Sequence, residues 1–282
     1  YPWILPAFAG FVLMLVAGIT SWRVARRQMT YETWWVTHLY FYLAIALAYL
    51  HQITLGQPFA THTWARWFWI GLYVITFVPL VAFRVLAPIW SSLRHNLKVH
   101  AVVRESGDTI SVWVSGRNLA ALDVKGGQFF GWRFLTRDGW WQSHPYSVST
   151  GSSPEFIRVT IKDLGDHSRS TAHLQPGTRV VLEGPYGVFT ADDRRTDHVV
   201  LVAGGVGVTP VRAILDDLPP DVEVDLLYRA PKAEALVLRD ELEAIAAVRG
   251  RSMRLRYLVG SRRDYPIDAR HQVLRVAGAD VY

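Results

Sequence analysis

The sequence predicts three kinds of structure in series: a transmembrane α-helical segment over residues 1–92, an antiparallel β-barrel over 93–192, and an α/β domain with a parallel sheet over 193–282. Three observations carry this reading. The long apolar runs lie almost wholly before residue 93; from Asn96 the chain breaks into short alternating strands divided by turns; and beyond Gly187 strands alternate with helices, with a glycine-rich first junction. Overall, 50% of residues are hydrophobic and 19% charged, so this uneven distribution separates a membrane part from a soluble part. The net charge of +6 has a matching explanation, because arginines flank the apolar spans instead of forming one basic face. A lipid bilayer is therefore the expected partner, and nucleic acid is not.

The first span runs from Trp3 to Trp22, with Pro6 near its start, where a helix has no amide partner to lose. Its connector carries Arg23, Arg26 and Arg27, which marks a short cytoplasmic loop. The second span, Thr33 to Ile53, holds His38 and His51, thirteen positions apart. At ~1.5 Å per residue they lie ~20 Å apart along the axis, one toward each membrane face and on different sides of an ideal helix. One metal ion cannot join both, so each serves its own ligand or reaches interfacial water from an outer third of the span. Haem iron commonly takes an axial imidazole, which makes two haems the functional reading of this pair. The outer loop contains His62, followed by Arg66, suited to a carboxylate or to anchoring at the interface. A third span, about Trp64 to Leu86, returns to the cytoplasm and meets Arg84, Arg94, His95 and Lys98. This makes an integral protein of the cell membrane with its soluble domains in the cytoplasm.

In the barrel region six strands are expected: KVHAVVRE, TISVWVS, QFFGWRF, HPYSVST, FIRVTIKD and TRVVLEG. Between the last two, Asp166 or Ser168 is placed to cap a short helix after a glycine turn, where free N–H groups meet an anion. HVVLVAG, VEVDLLYR and MRLRYLVG form the parallel sheet, with the turn GGVGVTP (Gly204 to Pro210) after the first of them. The chain has no cysteine, which excludes disulfides, cysteine-held iron–sulfur clusters and a thiol nucleophile within it. It starts at Tyr1 with no cleavage-site pattern and reads as a fragment that begins inside a longer protein.

The string His144-Pro145-Tyr146-Ser147, then GPYG at Gly184 to Gly187, then GGVGVTP, resembles in order and spacing the ferric reductase and NADPH oxidase superfamily. The resemblance covers nearly the whole chain. It implies that Tyr146 packs on the isoalloxazine of FAD, Ser147 bonds near its reactive edge as the catalytic residue, and His144 lies close to the flavin phosphates or ribityl chain, with Pro145 beside it on the strand. It also implies that Lys162, Gly165, Asp166 and Ser168 receive the FAD pyrophosphate. Gly204, Gly205, Gly207, Thr209 and Pro210 would receive NADPH or NADH, with Tyr228 and Arg229 at its adenosine end and a guanidinium there favouring NADPH. His38 and His51 would hold the inner and outer haem b, with their partner histidines on an N-terminal helix outside this sequence, as is the Cys-Gly-Pro segment expected after the strand at Asp280. The activity implied is electron transfer from NAD(P)H through FAD and two haems to an outer small-molecule acceptor such as ferric iron or dioxygen. Two other readings stand beside it: a haem-free, membrane-anchored flavin reductase, and a non-enzymatic transport or sensor protein with a nucleotide-binding domain.

Overall fold

The computed structural model describes residues 3–29, 31–57, 61–151, 153–163, 165–260 and 279–282. The chain divides into two compact units, Tyr1–Val81 and Ala82–Tyr282.

The first unit contains α1 (Ile4–Ser21), the single turn α2 (Arg23–Arg26), α3 (Tyr31–Leu55) and α4 (Thr63–Val81). α1 and α3 pack through small residues. Gly10, Ala17 and Ala44 are buried, and a Cβ on Gly10 would come within 2.6 Å of the Ala44 carbonyl oxygen. Large side chains such as Leu5, Phe8 and Ile19 point outward instead. α3 meets α4 through long side chains: the Tyr73 hydroxyl donates to Gln52 Oε1 at 3.0 Å, and its ring lies 4.6 Å from that of Tyr49. By length and composition three helices suffice to cross a membrane.

The third of these runs further than the sequence predicts. Pro79 lies inside α4 and cannot donate to the preceding turn; a π-turn, Ala82–Leu86, follows, and α5 (Ala87–His95) continues to make one apolar helix from Thr63 to His95. Pro88 falls in the first turn of α5, where a proline is tolerated, so the two prolines do not stop the helix. Asn96 ends it in the left-handed conformation.

The second unit begins with two three-stranded antiparallel sheets. One has β1 (Lys98–Ser106), β2 (Thr109–Ser115) and β5 (Phe156–Lys162) in the order β1-β2-β5; the other has β3 (Phe129–Phe134), β4 (His144–Ser147) and β6 (Val180–Tyr186) in the order β4-β3-β6. In place of continuous ladders around a barrel, their edges meet at two single bridges, Lys98↔Arg179 and Val148↔Val159. Alternation sends Val112, Val114, Phe130, Trp132, Phe134, Val159 and Leu182 into a shared core. The short helix α6 (Asp166–Thr171) follows β5.

The parallel sheet then forms in the order β10-β7-β8-β9, from β7 (His198–Gly204), β8 (Glu223–Ala230), β9 (Met253–Val259) and β10 (Asp280–Val281). β7 reads as a nearly continuous apolar run, and β8 is buried along most of its length, because helices α7 (Val208–Asp217) and α8 (Arg239–Arg249) help bury them.

One ionic cluster ties the antiparallel sheets to the parallel-sheet domain. Arg158 of β5 is buried and donates to both carboxylate oxygens of Glu241 on α8, at 2.8 and 3.1 Å. Its remaining donors reach Ser149 Oγ at 3.0 Å and Ser149 O at 2.6 Å, and its guanidinium lies 4.9 Å from the Trp113 ring. Arg212 of α7 pairs with the same Glu241 and with Asp216. A buried charge is tolerated only when partnered in this way.

Candidate functional site

β4 pairs with β3 in the register Phe129↔Ser147, Phe130↔Tyr146, Gly131↔Pro145 and Trp132↔His144. His144 and Tyr146, two residues apart, share one face; their rings lie 6.1 Å apart and tilted by 19°, a flat half-exposed platform. Trp132 Nε1–H donates to the Tyr146 carbonyl at 2.9 Å and fixes the strand. Burial pushes the Tyr146 phenol up to about 12, so it stays neutral across the physiological range. Pro145 faces away, and Ser147 ends the strand half-buried. Opposite Pro145, a Cβ on Gly131 would press against Ser143 Oγ at 2.9 Å.

The GPYG segment forms the end of β6. Gly184 and Gly187 take φ of 142° and 97°, values that favour glycine, and the Tyr186 ring lies 5.6 Å from Phe129. Its hydroxyl donates to Glu183 at 2.9 Å, and Arg84 pairs with the same carboxylate.

At α6 the cap is Gly165, where the sequence pointed to Asp166 or Ser168. Asp166 is the first helical residue, and Ser168 Oγ accepts the Gly165 N–H at 3.0 Å. The serine hydroxyl is thus engaged in the helix's own first turn. Lys162 lies 3.6 Å from Asp108 across the hairpin edge.

The glycine turn links β7 to α7. Gly205 has φ of 56°, and a Cβ built at Gly204, Gly205 or Gly207 meets nothing within 4 Å, so the turn faces open space at the start of a helix. Thr209 is buried in the first turn of α7, and Pro210 stands third, where its missing N–H costs no helical bond. Tyr228 differs from its expected place at the adenosine end. It is fully buried, its hydroxyl donates to Gly205 O at 3.1 Å and accepts Val237 N–H at 2.9 Å, and burial pushes it up to about 12. It braces the turn from beneath, because inward alternation on a central strand leaves it no route to the surface. Arg229 points the other way. It pairs in register with Gly204, and its Nε is buried with no partner among the described residues.

A cleft of about 260 Å³ brings Lys162, at the end of β5, together with Gly205 and Val206 of the glycine turn and with Lys232. Lys232 and the Arg158–Glu241 pair were missed by motif reading. The second had one visible signal, an arginine in the middle of the apolar strand FIRVTIK.

On α3, the His38 Nδ1–H donates to the Trp34 carbonyl at 2.7 Å, which leaves Nε2 as the outward nitrogen; Ser21 Oγ lies 2.6 Å from it. An imidazole held through Nδ1 by a carbonyl is the form that binds iron through Nε2, provided that Ser21 gives way. His51 Nδ1 and Arg66 Nε are buried without partners among the described residues. Such orphaned polar atoms fit a site that a polar or metal-bearing group would complete.

Residues 94–190 match an FAD-binding domain family, and residues 201–274 an oxidoreductase NAD-binding domain family. Respiratory burst oxidase homolog protein D of Arabidopsis thaliana is 24% identical over 214 residues, 67% of this chain and 22% of that protein. Ferric reduction oxidase 3, mitochondrial, of the same plant is 24% identical over 231 residues, 78% of this chain and 30% of that protein. The second likeness exceeds the share of the chain that lies beyond residue 94, so it runs into the apolar helices. The chain spans under half the length of these and other curated relatives it matches. Among solved structures, the flavohaem-like FAD/NAD-binding domain of a nitric oxide dioxygenase from Vibrio cholerae shares the fold, with a TM-score of 0.53 at 21% identity over 66% of this chain and 85% of that one. The fold and its two turns define the FAD- and NAD-binding module of an NAD(P)H oxidoreductase, here carrying apolar helices at its N-terminal side. The likeness to the two plant oxidases is in line with the ferric reductase and NADPH oxidase-type superfamily that the motifs resemble.

Proposed function

We propose that this chain takes electrons from NADPH in the cytoplasm and delivers them across a cell membrane to a small-molecule acceptor such as ferric iron or dioxygen. The observation that carries the reading is the shared cleft. Lys162 from the flavin side and Gly205 from the nicotinamide side line one opening, and the Arg158–Glu241 clamp holds the two domains together. Hydride transfer needs this arrangement, since donor and acceptor must meet at van der Waals distance.

FAD supplies the conversion from hydride to single electrons, and haem b carries single electrons onward. The flat His144–Tyr146 platform would hold the isoalloxazine, and Ser147, at the end of the strand, would hydrogen-bond its reactive edge. Lys162 and the backbone N–H groups from Gly165 into α6 would receive the pyrophosphate, with Ser168 shaping that turn. The open turn at Gly204, Gly205 and Gly207, with Thr209 and Pro210 behind it, would take the nicotinamide dinucleotide phosphates. Arg229, with its unpartnered Nε, and Lys232 would pair with a 2′-phosphate. On this reading Tyr228 is a positioning residue. His38 and His51 would hold haem iron, Arg66 would meet a haem carboxylate, and the opposing histidines would come from a helix outside this sequence.

The engagement of both His38 nitrogens favours a second reading, in which the helices only anchor a haem-free flavin reductase. One experiment separates the two: anaerobic absorbance spectra of the full-length protein before and after NADPH. Flavin bleaching followed by ferrous-haem bands is the expected result. Bleaching without haem bands would leave the anchored reductase, and no flavin signal would discard both. A His51→Ala protein that still reduced an impermeant outer acceptor would sink the transmembrane route.

A further inference from the structure

A second cavity, of about 310 Å³, lies against α5 and shares no residue with the motifs above. Its apolar wall comes from Ile89 and Leu93 of α5, Leu135 beyond β3, and Trp140. Its polar wall has Ser92 and Asn96 beside two cations, Arg133 of β3 and Arg179 before β6. Arg133 is turned there by strand alternation, because Trp132 and Phe134 on either side enter the core. Its Nε is buried and has no partner, and no carboxylate lines the cavity among the described residues. Glu183, the acid on the same face of β6, is already paired with Arg84. The result is a built, preformed cationic pocket with a greasy side. Ser92 Oγ donates to Val180 O, and Arg117 N–H donates to His95 O at 2.6 Å, which pin α5 in place.

The depth of the cavity follows from the helix that leads into it. Thr63–His95 is a continuous apolar helix of 33 residues, ~50 Å long, against a hydrocarbon core of ~30 Å. With Trp64 and Trp67 at its first end, the surplus falls on α5, at the depth of lipid headgroups on the arginine-rich side. The exposed Trp90 and Trp140 suit that layer. We infer that this cavity binds the phosphate of an anionic phospholipid from the surrounding bilayer, with Arg133 and Arg179 on the phosphate and Ile89, Leu93 and Trp140 on the upper acyl chain. Guanidinium forks match phosphate oxygens, and basic pockets beside membrane helices recognise acidic headgroups. The inference rests on the membrane part of the proposed function.

The test uses the full chain, purified in detergent and delipidated. Phosphatidylglycerol and phosphatidylcholine are titrated in the same micelles, and retained lipid per protein is counted by native mass spectrometry. Phosphatidylglycerol should be retained, one per chain, at concentrations where phosphatidylcholine is not. Arg133→Gln with Arg179→Gln should weaken that retention about tenfold or more. Arg179→Gln alone should weaken it less and guards against a misfolded double variant, while Arg137→Gln, outside the cavity, should change nothing. Equal retention of the two lipids, or an unaltered double variant, would overturn the inference. So would full displacement of phosphatidylglycerol by millimolar inorganic phosphate, which would make this a free-phosphate site. Flotation with vesicles is the separate check on the membrane reading: a chain that stays with the aqueous fraction overturns that reading itself.

Discussion

The apolar helices and the nucleotide-binding part use the same hydrophobic residue types in opposite senses. In Tyr1–Val81 the small residues Gly10, Ala17 and Ala44 are buried, and large ones such as Leu5, Trp64 and Ile75 face outward. In Ala82–Tyr282 the large residues Trp132, Tyr228, Phe130 and Leu201 fill the cores, and charges such as Arg158 and Glu241 close the seam between domains. The first region is held by close backbone approach, which works where the surroundings are themselves apolar; the second by burial away from water, stitched by charge-assisted bonds. Composition alone does not separate them. The placement of small and charged residues does.

This contrast can be broken at its ionic end first. Arg158→Ala leaves Glu241 with Arg212 alone and leaves Ser149 without its guanidinium donors, and should cost about 3 kcal/mol, read as a lower midpoint in thermal unfolding of the nucleotide-binding part, with the helices unaffected. Ser147→Ala tests whether the site depends on single polar contacts. It should slow flavin reduction by NADPH about 10²-fold in stopped-flow while leaving NADPH affinity nearly unchanged. At the shape-held end, Gly10→Val drives a side chain into the Ala44 carbonyl and should destabilise the α1–α3 pair by about 1–3 kcal/mol, seen as a lower melting temperature in detergent with normal flavin binding. Arg229→Gln should lower the ratio of kcat/KM for NADPH over NADH about tenfold through KM. The smallest effect is expected at Asp280. Backbone N–H groups of Arg195 and Thr196 hold its carboxyl below the usual carboxylate range, so the contribution is present above the unfolded-state value and is lost as pH falls through the depressed one. Faster exchange of the Val202 amide, which donates to Tyr282 O at 3.0 Å, would report this loosening in acid.

Much of the architecture was legible because it rests on periodicity. The apolar helices, the short strands and the strand–helix alternation follow from patterns of 3.6 and 2 that survive in any context. The end of the third helix was not, because a π-turn that carries it past Leu86 and through Pro88 to His95 has no local signature. The motif His144 to Ser147 and the turn Gly204 to Gly207 were visible as strings. Their supports were not. Tyr228 reads as a surface aromatic at a strand end until the register puts it beneath Gly205, and the partnership of Arg158 with Glu241 joins residues 83 apart in sequence. His38 and His51 were both read as haem ligands; the hydroxyl of Ser21 beside Nε2 of His38 distinguishes it from His51, and that contact depends on how α1 packs on α3.

The clamp between Arg158 and Glu241 has a kinetic consequence. Many two-domain enzymes admit ligand by swinging apart, but here the first increment of such a swing would pull a fully paired guanidinium away from its counter-ion before water could reach it. Opening therefore carries the cost of separating that pair, which closure recovers. The seam, and not a hinge, thus sets the separation between the Lys162 edge and the Gly205 turn.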